Sequence, residues 1–282
     1  MDEVTAGRFA PADRAPGSRD YSLIVNWNIE RGQQLPGILD FLRTAEADLI
    51  LLQEVDLNVR RTGYLDIGRE LARSLRLNYV FGAEFQELGR GSESSPALHG
   101  MATLSPWPLS NGRILRFQRQ SNFWKPRWYV PQAEIFQRRL GGRIALVAEA
   151  LVYGRKLVSY NLHLESKGDE VLRLQQLREA LEDSRQHTAS STVVLAGDLN
   201  LNVGNGAAAA MLNGRGFHDA VRLPDRPTTA ARRPFQRERP IDWIYVSGEA
   251  GSEGRVHDNV RASDHYPLSA KLRRKATVLW EP

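Results

Sequence analysis

The chain has no cysteine among its 282 residues. That excludes disulfides, thiolate-bound zinc and cysteine nucleophiles together. It also fits a reducing compartment, so a cytoplasmic location is expected. Long apolar runs are missing too. The longest candidate, Arg143–Val152, is broken by Glu149, and nothing approaches the roughly 18 unbroken apolar residues of a membrane helix. The first twenty residues have no apolar core of the kind a secretory signal needs. No integral membrane segment is therefore expected. Lysine is scarce: five of the 38 basic residues are Lys, which leaves 33 Arg. Arginine forks match phosphate oxygens. The net charge of +5 fits an anionic partner, although GC-rich coding would produce the same arginine bias.

What is present is ordinary for a globular chain: 41% hydrophobic and 25% charged residues, on a length that affords a full core. Residues 1–20 are rich in Ala, Gly, Pro, Arg and Asp, and read as a disordered tail. From residue 21 strands and helices alternate, so 21–282 is expected to be a single domain. Strands are predicted at Ser22–Asn28, Asp48–Glu54, Tyr79–Phe85, Gly100–Leu104, Ala133–Arg139, Arg143–Val152, Lys156–Leu164, Thr192–Asp198, Ile241–Ser247, Gly254–Val260 and Leu268–Leu272. Helices are predicted at Leu35–Ala47, Asp66–Leu77 and Asp169–Arg185. Gly141-Gly142 reads as a hairpin turn, and Asp225–Pro240, polar and rich in Pro and Arg, as a long loop. The totals predict an α/β fold of two packed sheets with helices outside.

Residues capable of metal and proton chemistry recur at one kind of place, directly beside an apolar strand. Asn28 and Glu30 end the first, Gln53 and Glu54 the second, and Asn161 and His163 a later one. Asp198 and Asn200 close TVVLAGDLN, Asp242 opens IDWIYVS, and Asp264-His265 precedes PLSAKL. Strand ends on one side of a sheet converge on a crevice. Hard oxygen ligands suit Mg²⁺ or Mn²⁺, and two histidines can hold a phosphate or move protons. The combination points to metal-assisted hydrolysis of a phosphate ester.

The order WNIE (27–30), LLQEV (51–55), HGMATLS (99–105), NLHLES (161–166), AGDLN (196–200), IDWIYVS (241–247) and SDHYPL (263–268) resembles the endonuclease/exonuclease/phosphatase superfamily over about residues 21–273. The resemblance implies the four-layer α/β/β/α sandwich of DNase-I-like proteins. It implies Glu54 as principal metal ligand, supported by Asn28 and Asp264. Asp198 would orient or deprotonate the attacking water, and Asn200 would bind that water or a phosphate oxygen. His265, its ring held by Asp242, and His163 would contact the phosphate from opposite flanks. Attack would be in line, without a covalent intermediate. One departure is visible: many relatives read Gly-Asn-Ala where this chain has Gly100-Met101-Ala102. His99 beside it is expected at the surface or just behind the site.

Loops set the substrate, and they are the least readable part. Arg60 and Arg61 follow QEV and are candidate phosphate contacts. Trp124 and Trp128, in the stretch FWKPRWY (123–129), are candidate substrate contacts; the same aromatics could instead cover a sheet edge. The stretch NLHLESKGDEVLRLQQL (161–177) is similar to tyrosyl-DNA phosphodiesterases, and RERPIDWIYVS (237–247) to abasic-site enzymes. The expected substrate is therefore DNA, with endonuclease, exonuclease or repair-type end processing in view. A lipid or small-molecule phosphodiesterase is the alternative, and a non-catalytic phosphate-binding relative the remaining one. A monomer is expected.

Overall fold

A computed structural model describes residues 3–11, 19–92, 95–124, 129, 131, 138–204, 206–223, 225–232, 237–248 and 252–273. Chain order runs β1 (Thr5–Gly7), β2 (Tyr21–Arg31), α1 (Leu35–Ala45), β3 (Leu49–Leu57), α2 (Ile67–Leu75), β4 (Asn78–Ser92), β5 (Ser95–Ser105) and β6 (Leu109–Arg116). It continues with β7 (Arg139–Gly141), β8 (Ile144–Val152), β9 (Arg155–His163), α3 (Glu170–Thr188), β10 (Thr192–Asp198), α4 (Ala207–Asn213), β11 (Phe217–Asp219), β12 (Asp242–Ser247), β13 (Ser252–Val256) and β14 (Leu268–Arg273). The first sheet is ordered β1-β4-β5-β3-β2-β14-β13, with β7 also on β4. The second is ordered β11-β12-β10-β9-β8-β6.

The period-two alternation of the strands decides how these sheets pack. On β2, Val25, Trp27 and Ile29 join Ile38 and Leu42 of α1 and Leu71 of α2 in one core. On β9 and β10, Val158, Tyr160, Leu162, Val193 and Leu195 meet Leu177 and Leu181 of α3 in another. The opposite faces, with Ile24, Leu49, Leu51, Val194, Ala196, Ile244 and Leu268, meet each other between the sheets. This is the expected four-layer α/β/β/α sandwich. The helices begin where local chemistry starts them: Asp66 and Asp169 cap α2 and α3 by accepting from Arg69 N and Leu172 N, each at 2.9 Å. Pro36 sits in the first turn of α1.

Two expectations need correction. The leading segment is not without structure throughout: Thr5–Gly7 pairs antiparallel with Tyr79–Phe81. Phe9 stacks on Tyr79 at 6.2 Å and Val4 packs against the Val80 cluster, so a few apolar contacts anchor a stretch whose composition has little to bury. Gly141-Gly142 is not a hairpin turn, because β7 pairs with β4 of one sheet and β8 lies in the other. The chain crosses between sheets there, and a Cβ on Gly141 would lie 2.1 Å from Glu84 O. The strand at β6 and the short helix α4 were not anticipated. Of the strand predicted at Ala133–Arg139, residues 133–137 lie outside the described residues.

Gly197, in the middle of AGDLN, shows how tightly β9 and β10 approach: a Cβ there would lie 1.8 Å from Leu162 O. Backbone cannot yield as a side-chain tip can. Gly197→Ala is expected to cost on the order of 3 kcal/mol or more in urea unfolding. Gly154→Ala, at φ +79 with nothing within 4 Å, is expected to cost about 1 kcal/mol. Equal costs would show that the close approach is relieved elsewhere.

Candidate active site

The strand faces that meet between the sheets end in polar residues. In the register, Asp198 lies beside His163 on β9 and beside Asp242 on β12. Asn28 lies beside Gln53 across β2 and β3. The parity that sends Val194 and Ala196 inward sends Asp198 the same way, and Ile244 and Val246 do the same for Asp242. One crevice results, at one end of the space between the sheets. A buried amide network closes its floor. Gln53 Nε2 donates to Asn26 Oδ1 at 2.8 Å and to Asn161 Oδ1 at 2.7 Å. Asn161 Nδ2 donates back across the gap to Leu52 O at 3.1 Å and Ala102 O at 3.0 Å.

Asp198 is the focus. Its Oδ1 accepts from Asn200 N at 3.0 Å. Its Oδ2 accepts from Asn28 Nδ2 at 3.1 Å, and faces His163 Nε2 at 3.7 Å and His265 Nε2 at 3.8 Å. Asn200 Nδ2 donates to Leu164 O at 3.2 Å. His265 is held from every side. Its Nδ1 meets Asp242 Oδ2 at 2.8 Å, and its backbone N donates to Ser263 Oγ, which in turn donates to Asn28 O. Its carbonyl accepts from Trp27 Nε1 at 2.9 Å. Thr228 Oγ1 donates to Asp242 Oδ2 at 2.6 Å, which brings the loop at 225–232 into the site. Burial alone would lower the His265 imidazole, but Asp242, Asp198 and Asp264 overcome it and push it up to about 10. These carboxylates favour the protonated ring.

Glu54 stands across the crevice. The pairing of β3 with β5 slips between Leu52 and Val55, and that of β2 with β3 between Asn28 and Arg31. Glu30, Arg31 and Glu54 all have positive φ (46°, 70° and 51°). Two adjacent bulges thus re-aim these side chains at a strained stretch of backbone. Arg31 reaches Glu54 at 3.6 Å, and Arg232 reaches Glu30 at 2.5 Å. Burial would raise the Glu54 carboxyl, but the Arg31 guanidinium, the largest opposing cause, holds it far below the usual range. An ionised carboxylate whose nearest cation stands off at 3.6 Å keeps hard oxygens for a metal ion. Asp198, Asp242 and His265 also bring ligand atoms within 4.8 Å of one another. That trio suits a metal less well: the His265 imidazolium and Asp242 already satisfy each other, and a protonated nitrogen cannot ligate.

The structure thus brings together Asn28, His163, Asp198, Asn200, Asp242 and His265, with Glu54 close enough to feel both histidines. Asp264 is half-buried in the same turn as His265. Arg61 does not meet its expectation as a phosphate contact. Its Nε and Nη2 each meet the Asp56 carboxylate at 2.7 Å, and Glu87 takes its remaining side. Arg60 is exposed. Trp124 is half-buried: its Nε1 donates to Glu165 Oε1 at 3.2 Å, and its ring packs on Phe85 at 5.0 Å. It forms a wall rather than a free platform. Trp128 lies outside the described residues. His99 is buried on Asp56 at 3.0 Å, which corrects its surface reading. Met101 is buried between the sheets with Ile144 and Leu146. Sequence reasoning missed Glu84 and Arg143. Each is a lone charge in an apolar strand stretch, YVFGAEF and RIALVA, and that is the signal that could have found them.

The family model described as the Endonuclease/Exonuclease/phosphatase family matches residues 25–265. The chain belongs to the endonuclease/exonuclease/phosphatase family. Family members are generally phosphoester hydrolases that use a divalent metal. Among solved structures, an endonuclease/exonuclease/phosphatase from Beutenbergia cavernae superposes with a TM-score of 0.66 at 21% identity, covering 90% of this chain and 72% of that one. One from Bacteroides vulgatus gives 0.66 at 16%, covering 90% and 99%. Truncated TDP2 from Caenorhabditis elegans gives 0.62 at 17%, covering 90% and 98%. These identities support the shared fold. No curated protein matches the chain. Among the described residues, no helix is long and apolar enough to cross a membrane.

The raised His265 value makes stability depend on pH in a definite direction. The His265 contribution is fully present below about pH 6.5, the ordinary imidazole value, while Asp242, raised by burial, is still ionised, and it fades as pH rises toward about 10. Urea unfolding of the metal-free protein should lose stability across that window, and Asp242→Asn should flatten the loss. Parallel slopes in the two proteins would show that the pair does not hold the proton.

Proposed function

We propose that this family member is a divalent-metal-dependent phosphodiesterase that hydrolyses DNA by in-line attack of water. The observation that carries the reading is the convergence on Asp198 Oδ2 of two imidazole Nε2 atoms, at 3.7 and 3.8 Å, and of the Asn28 amide. Two imidazole nitrogens and an amide thus surround one carboxylate oxygen, an arrangement suited to a water and a phosphate oxygen.

In this reading Glu54, with Asn28 and Asp264 beside it, holds Mg²⁺ or Mn²⁺. When bound, the ion polarises a phosphate oxygen and offsets developing charge. The chain's own residues do the rest. Asp198 accepts a proton from the attacking water, and the Asn200 N–H on its Oδ1 keeps the carboxylate aimed. His265, cationic through Asp242, places an N–H and a positive charge on the phosphate as its bonds rearrange. His163 contacts it from the other flank. Water adds as the leaving oxygen departs on the opposite side, so no residue is covalently modified. Arginine-rich composition and a net charge of +5 favour a polyanion as substrate. So does the similarity of residues 161–177 to tyrosyl-DNA phosphodiesterases. Exposed Phe123 and Tyr129 favour a second reading, a lipid or small-molecule diester.

The test is Mg²⁺-dependent cleavage of labelled intact duplex, single strand, abasic-site duplex and 5′-tyrosyl ends. Cleavage of at least one is expected, with a loss of about 10²–10⁴-fold in Asp198→Ala while binding persists. No cleavage, by protein that still hydrolyses an aryl phosphodiester, would move the substrate to lipid or small diesters. EDTA should abolish activity, and Glu54→Gln should weaken the dependence on added Mg²⁺. Full activity in excess EDTA would falsify the metal assignment.

A further inference from the structure

The two histidines that flank Asp198 are placed almost symmetrically, yet their rear nitrogens meet opposite chemistry. His265 Nδ1 faces the Asp242 carboxylate, which can only accept. His163 Nδ1 faces two groups: Arg143 Nη1 at 2.8 Å and Glu84 Oε2 at 3.1 Å. Arginine can only donate, and an ionised carboxylate can only accept. Glu84 Oε1 accepts from Arg143 Nη1 at 2.9 Å, and this buried ion pair keeps the carboxylate ionised. One nitrogen cannot serve both partners.

The contacts around Arg143 decide between them. Its Nη1 donates to Glu84 Oε1 at 2.9 Å, which leaves its second proton for His163. Its Nη2 donates to Ser166 Oγ at 3.1 Å. Its backbone is clamped by Gln120, which accepts from Arg143 N at 2.8 Å and donates to Arg143 O at 2.7 Å. The guanidinium lies over Phe85 at 5.2 Å. Arg143, Glu84 and His163 are at most 3% exposed, so water cannot mediate freely. Glu84 has a full cationic partner in Arg143 and does not need the imidazole proton. Placing a proton on Nδ1 would instead set two N–H groups head to head at 2.8 Å.

We propose that Arg143 is a positioning residue that donates to His163 Nδ1, so that the ring carries its one proton on Nε2. That proton faces Asp198 Oδ2 at 3.7 Å, beyond hydrogen-bond reach, and is free for an oxygen of the ligand. The histidines then differ in kind. His265 is backed by a carboxylate that takes its Nδ1 proton, and His163 by a guanidinium that donates to its Nδ1. This deepens the reading of the same site as a phosphodiesterase centre and rests on it for its catalytic consequence only.

The decisive measurement needs no substrate. Long-range ¹H–¹⁵N correlation spectra of the ¹⁵N-histidine-labelled, metal-free protein report which ring nitrogen is bare. His163 is expected to show a bare Nδ1 and a protonated Nε2, and His265 a protonated Nδ1. A protonated Nδ1 on His163 in the wild-type protein overturns the proposal, whether or not the chain cleaves DNA. In Arg143→Gln the His163 proton is expected to move to Nδ1, toward Glu84, with kcat falling at least tenfold. Arg143→Lys, which keeps a donor, is expected to retain the wild-type pattern and most of kcat. An unchanged His163 signature in folded Arg143→Gln would likewise overturn it.

Discussion

The site depends on a hydrogen bond that spans the sandwich, from the Gln53 amide on β3 to Asn161 on β9. Two sheets packed through aliphatic side chains alone can slide, because dispersion contacts have little directional preference. Amides cannot. A buried N–H left without an acceptor costs about 1–3 kcal/mol, so the bonds from Asn161 to Leu52 O and Ala102 O set how the two sheets align beneath the crevice. Everything above them inherits that alignment: Asn28 on one sheet reaches Asp198 on the other at 3.1 Å.

Above this floor the chemistry is built from strand ends and bulges. Strand ends supply Asp198, His163 and Asp242 by simple continuation of the inward parity. Bulges supply Glu54 and Arg31, at the cost of left-handed backbone at Glu30, Arg31 and Glu54. Strain of this kind persists where surrounding structure over-determines it. Here the paired slips in β2 and β3 do so. The loop at 225–232 completes the assembly, since Thr228 spends its hydroxyl on Asp242 and Tyr266 N donates to Thr228 O.

Much of this was legible along the chain. The inward residues of β10 and β12 alternate cleanly, so Asp198 and Asp242 stand out as polar residues in an apolar parity. The motif order then carried the family. Less legible were residues whose partners are remote in sequence. Arg61 looks like a free phosphate contact until the fold closes Asp56, five residues away, and Glu87, 26 residues away, on either side of it. Gly141-Gly142 has the composition of a hairpin, and only the pairing of β7 with β4 shows the chain leaving one sheet for the other. Trp124 reads as a stacking surface until Glu165 and Phe85 take its edge and face.

Sequence by itself determined the layer architecture, the family and the types of residue at the site, because these follow from periodicity and local order, which a linear string records. The Asp242 partner of His265 was expected from the motif order, and tertiary structure alone decided what stands behind His163. The Asp242 carboxylate stands behind His265, while Arg143, from a crossing between sheets, stands behind His163 with Glu84. Two histidines that look alike in sequence are made unlike because charge acts through distance in space and falls off within a few ångströms, whatever their separation along the chain.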